Sequence, residues 1–120
     1  MLASLIFVVA LQAAPTPSVF DYIYCVSDAA ERLDASGEPV ATVVDAASAQ
    51  CRHLDRAPQP GSVIASLPIE KQQELMAEFR AMVATRMTNR LVGVRACRNT
   101  SGCDMATVPP AFENLPPRNH

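Results

Sequence analysis

Two neighbouring stretches decide the fold. They are Ser18-Val-Phe-Asp-Tyr-Ile-Tyr-Cys25-Val-Ser-Asp-Ala-Ala-Glu-Arg-Leu-Asp34 and Pro39-Val-Ala-Thr-Val-Val-Asp-Ala-Ala-Ser-Ala-Gln-Cys51, joined by Ala35-Ser-Gly-Glu38. In the first, Val19, Tyr22, Ile23, Val26, Ala30 and Leu33 recur at helical spacing. Ser18 followed three residues on by Asp21 has the form of a helix N-terminus, and Ser36-Gly37 supplies a stop. In the second, Pro39 can open a helix whose apolar positions are Val40, Val43, Val44, Ala47, Cys51 and Leu54. So short a link returns the second helix antiparallel to the first. Cys25 and Cys51 flank the turn almost symmetrically, which sets them at one height in an antiparallel pair. A bridge between them would close a loop of about 25 residues and clamp the hairpin.

Arg56-Ala-Pro-Gln-Pro-Gly-Ser62 reads as a loop. A third, longer helix is expected to start near Leu67-Pro68, with Met76, Phe79, Val83, Met87, Leu91 and Val94 as its apolar stripe. Glu70, Glu74 and Glu78 lie toward its start and Arg86, Arg90, Arg95 and Arg98 toward its end, which suits the helix dipole. Gly93 weakens the last turns, because glycine costs about 1 kcal/mol relative to alanine in a helix. From Asn99 onward the periodicity disappears, and Pro109-Pro110 and Pro116-Pro117 exclude regular helix and sheet. The expectation is an all-α, small three-helix protein. It comprises a disulfide-clamped N-terminal antiparallel hairpin, a longer third helix and an irregular Pro-rich tail, extended or disordered, over residues 106–120.

Upstream of this domain, Leu2-Ala-Ser-Leu-Ile-Phe-Val-Val-Ala-Leu11 is apolar apart from Ser4 and is followed by Gln12-Ala-Ala-Pro15. Ten residues span only about 15 Å as a helix, half of a bilayer core. The small residues after the run fit a secretory cleavage site, placed after Ala13, although no Lys or Arg precedes the run. Residues 1–13 are therefore expected to be a signal peptide and 14–105 the helical domain, in a secreted or periplasmic protein with no stable membrane insertion after cleavage.

The 120 residues make one domain at most, and a net charge of −2 gives no general attraction to nucleic acid or an anionic membrane. Four cysteines in a small exported chain read as structural disulfides. Cys97 and Cys103 enclose Arg-Asn-Thr-Ser-Gly, a turn-forming set that favours a local bridge. The pairing 25–51 with 97–103 is thus preferred among three, although Cys97 could also reach a neighbouring helix. There is no Cys-x-x-Cys and no Cys-x-x-Cys-His, so redox and haem-attachment spacings are lacking. Cys51-x-His53 has the wrong spacing for two ligands on one helix face, and Met76 and Met87 read as core filling rather than copper ligands.

Residues 80–98 hold five arginines and no acid, whereas residues 19–55 hold seven acids against Arg32 and Arg52. An acidic hairpin and a basic third helix should pair internally. The arginines are spread around the helix with no aromatic after Phe79 among them, which argues against a nucleic-acid surface. Arg86 and Arg90, one turn apart, project toward the side of Phe79, Val83 and Cys97. Two guanidinium groups so placed could hold a small anion. Alternatively their stems cover apolar surface while the heads meet solvent or Asp28, Glu31 or Asp45. Asn99-Thr-Ser101 matches the glycan acceptor triplet, which matters only in a eukaryotic secretory pathway. No nucleophile, acid–base pair, metal cluster or cofactor motif stands out. The expected function is a non-catalytic exported binding, inhibitory or structural module with an envelope partner, with a small-anion carrier using Arg86 and Arg90, or an enzyme of unidentified reaction, as alternatives. The oligomeric state is left open.

Overall fold

A computed structural model describes residues 18–54 and 62–118. The proposed signal peptide and most of the Arg56–Ser62 loop lie outside these residues. The described chain is helical, with α1 at Val19–Asp34, α2 at Val40–Gln50 and α3 at Ile69–Arg98. Single 3₁₀ turns lie at Arg52–Leu54, Ile64–Ser66 and Met105–Thr107.

α1 and α3 begin and end where the sequence places them, whereas α2 ends at Gln50 and the expected Leu54 position falls in a separate 3₁₀ turn. The Ser18 N–H donates to the Asp21 carboxylate at 2.7 Å, which satisfies one of the free donors at the start of α1. Gly37 turns the connection with φ 76°, a left-handed conformation open to glycine at no steric cost. Pro39 then supplies an N-terminal residue whose missing N–H costs α2 nothing, and Pro68 does the same for α3. The hairpin is clamped by Cys25–Cys51, with Cα atoms 5.8 Å apart.

Three contacts fix the direction of α3. The rings of Tyr22 and Phe79 lie 5.8 Å apart, Ser27 Oγ donates to Met87 Sδ at 3.6 Å, and Asp34 accepts from Arg95 Nε at 2.7 Å. Moving down α1 therefore moves down α3, so these two helices run parallel and α2 antiparallel to both. The core lies where the three meet: Ile23, Val26 and Ala30 from α1, Val43, Val44 and Ala47 from α2, and Val83, Met87 and Leu91 from α3, with Cys51 closing one end. Few of these side chains are large, so the hydrophobic stabilisation per residue is modest.

The last turns of α3 continue through Gly93 to Arg98, and the reason for the glycine lies outside the helix. A Cβ at position 93 would stand 3.0 Å from Val108 Cγ1 of the C-terminal segment. The helix gives up propensity there so that this segment can come close. Beyond the local Cys97–Cys103 bridge, the segment has the irregular path its prolines impose. It does not leave the domain. Ala111, Phe112 and Leu115 pack against the core as partly buried residues.

Removing the Cys25–Cys51 bridge with paired serines should cost about 3–4 kcal/mol, and removing Cys97–Cys103 about 2, because the second closes a far shorter loop; urea unfolding of both variants measures the difference. Gly93→Ala should leave α3 helical by circular dichroism while loosening residues 108–112, read as faster proteolysis of the C-terminal segment.

Candidate functional site

Four arginines of α3, Arg86, Arg90, Arg95 and Arg98, meet neighbours elsewhere in the fold. Arg90 Nη1 donates to the carbonyl of Val108 at 2.9 Å and to that of Pro109 at 3.3 Å. The Arg86 guanidinium lies 5.9 Å from the centre of the Phe112 ring. The pair singled out for a small anion thus fastens the C-terminal segment. An extended Pro-rich backbone has no internal hydrogen bonds, so its carbonyls are free to accept.

Asp28, one of the acids considered as a partner for Arg86 and Arg90, receives Arg118 instead. Both guanidinium Nη atoms donate to its carboxylate, Nη2 at 2.8 Å, and the same guanidinium lies 4.6 Å from the Tyr24 ring centre. The hydrogen bond to Asp28 raises the Arg118 pKa above its ordinary value, so this fastening stays cationic throughout the accessible pH range. The Tyr24 hydroxyl is buried with no hydrogen-bond partner among the described residues. From Val108 beside Gly93, through Phe112 beside Arg86, to Arg118 above Tyr24 and Asp28, the segment runs antiparallel to α3 in the groove between α1 and α3.

A second cluster sits where the C-termini of α1 and α3 meet. Asp34, only 5% exposed, accepts from Arg95 Nε at 2.7 Å and faces Arg98 Nη2 at 3.4 Å. This is the internal pairing of acidic hairpin with basic helix. A cavity of about 160 Å³ is lined by these three residues with Gly37 and Asn99. Arg95 Nη2 is buried without a hydrogen-bond partner among the described residues. Two arginines facing one carboxylate and two helix C-termini leave the cavity close to neutral, so it offers little to an anion. Its role is to tie the hairpin turn to the end of α3.

A depression of about 650 Å³ lies between α2 and α3. Ala49, Ala81 and Ala84 form its walls together with Tyr22, Asp45 and Arg52. It is roomy enough for a small ligand, and Ser48 and Arg80 complete its polar lining. Among the described residues no group of three or more His, Cys, Asp or Glu side chains could hold a metal ion, and no helix is long and apolar enough to cross a membrane. His53 is exposed, with Nδ1 3.0 Å from the Gln50 carbonyl, and Met87 is core while Met76 is partly buried.

The arginines stand out in the sequence, but their partners do not. The signal for those partners lies in the tail, where Phe112, Leu115 and Arg118 interleave with prolines, and in Gly93 of α3, which faces Val108. Comparison with protein-family models, with curated proteins and with solved structures finds no match.

Replacing Asp34 with alanine should leave Arg95 desolvated without its counter-charge and cost about 2–4 kcal/mol. Thermal unfolding of Asp34→Ala beside Glu38→Ala, an exposed acid next to the same turn, measures this against a bland neighbour.

Proposed function

We propose that the protein is an exported, non-catalytic binding module, secreted or periplasmic, that engages an envelope partner through a helix surface. The observation that carries this reading is the overhang of α3. Its 30 residues reach about 45 Å, nearly twice the length of α1, and the Tyr22–Phe79 contact sets the start of α1 level with the third turn of α3. The first two turns of α3 consequently extend beyond the start of α1. The apolar stripe nevertheless continues into them through Met76 and Ile69.

Ile69 is 60% exposed, and Val63, just before the 3₁₀ turn that leads into α3, is 82% exposed. Gln72 fastens that turn through hydrogen bonds to the carbonyls of Ala65 at 3.1 Å and Leu67 at 2.7 Å. Apolar side chains held in a fixed position at the projecting end of a stapled bundle suit contact with another protein. Export is supported by the short apolar run at Leu2–Leu11, by the small residues after it, and by two disulfides in so small a chain.

A photo-crosslinking residue at position 69, in cells expressing the full chain, should give a discrete adduct that the same residue at position 104 does not. Met76→Glu should abolish it. Equal labelling at both positions, or turnover of a substrate by the purified protein, overturns the reading. The intact mass of the exported protein should equal residues 14–120 less four hydrogens.

A further inference from the structure

We propose that the groove between α1 and α3 is an interaction surface for a second copy of this chain, with residues 108–118 of one copy leaving their own seat and occupying that of the other. This surface is separate from the overhang of α3 and independent of it. The groove's own occupant defines what it accepts: an extended Pro-rich segment with free carbonyls at one end, an aromatic ring in the middle and a guanidinium at the other end. The C-terminal segment of a second copy has that chemistry by identity. Exchange of identical elements is a low-cost route from monomer to two-fold dimer, since every contact broken in one copy is remade in its partner.

Three features make the segment releasable. Its end is fastened at the surface: Arg118 and Asp28 side chains are 42% and 49% exposed, so water and salt compete for the ion pair. Its apolar residues, Ala111, Phe112 and Leu115, are only partly buried. The link to the domain is a single turn whose hydrogen bonds are local, with Thr107 Oγ1 donating to the Asp104 carbonyl at 2.6 Å and the Ala106 N–H to Asp104 Oδ1 at 3.0 Å. Opening it breaks only hydrogen bonds within the turn itself. Extended, its four residues reach about 14 Å. Pro109 and Pro110 stiffen the start of the segment, which disfavours its collapse back on itself once released.

A short tether gives the chain's own segment a local concentration near the millimolar range, so the native protein is monomeric at micromolar concentration and exchanges as that range is approached. Complementary charge reversal tilts the balance. Asp28→Lys sets a lysine against Arg118, and Arg118→Glu sets a glutamate against Asp28, so each variant repels its own segment. In a mixed dimer both trans pairs are attractive: Arg118 of the first variant meets Asp28 of the second, and the introduced glutamate meets the introduced lysine.

The test is sedimentation velocity of each full-length variant alone, of the equimolar mixture, and of the double variant carrying both changes. Limited proteolysis after Glu113 reports release of the segment. Expected are monomers with a cleavable segment for each single variant and a one-to-one heterodimer, dissociated by salt, for the mixture. The double variant should be a protected monomer. A mixture that stays monomeric while its segments are cleaved overturns the exchange. Segments that stay protected in the single variants overturn it equally, because the ion pair then does not hold them.

Discussion

The Cys25–Cys51 bridge is the constraint on which the rest of the bundle depends. It joins two short helices whose buried residues are mostly Val and Ala, side chains that contribute little apolar area each. A hairpin of that composition would be marginal alone, because isolated helices of 11 and 16 residues gain too little to offset the order they require. Fixing Cys25 and Cys51 removes many of the unfolded chain's alternatives before any packing is counted. With the hairpin held, its face can accept Val83, Met87 and Leu91, and α3 acquires a direction.

Charge then completes what apolar contact begins. The arginines of α3 are distributed along the axis, and four of them have partners outside the helix: Phe112 for Arg86, the carbonyls of Val108 and Pro109 for Arg90, and Asp34 for both Arg95 and Arg98. Arg118 reverses the arrangement, carrying the cation on the segment and the acid on α1. A segment with four prolines in eleven residues cannot form a fourth helix, so it is fastened by side chains acting at intervals. Arginine suits that work because a planar fork can meet a carbonyl, a carboxylate or a ring face.

The helices and the clamp were legible in the sequence because their signals are local: periodicity of 3.6, a serine–aspartate start, proline openings, and two cysteines symmetrical about a glycine turn. The seat of the C-terminal segment was not, because it depends on contacts 15 to 90 residues apart in sequence, from Gly93–Val108 to Asp28–Arg118. Gly93 shows the difference. Read along the chain it is a weak point in a helix; read across the fold it is where Val108 can approach the backbone closely. Composition could suggest that Arg86 and Arg90 meet something anionic or polar. It could not say that Arg90 would meet the chain's own carbonyl groups and Arg86 one of its own rings.

The same division between local and long-range contacts bears on function. The clamped hairpin and the buried Asp34 pairing are cooperative with the core, so they resist local opening. The C-terminal segment and the overhang of α3 lie at the margin of the core, with exposed fastenings in one case and exposed apolar residues in the other. Parts of a protein that open or engage partners come from its least stable end, because recognition there does not require unfolding the core. A rigid centre with two less firmly held margins suits the proposed binding role, and the rigidity comes chiefly from one disulfide and one buried carboxylate.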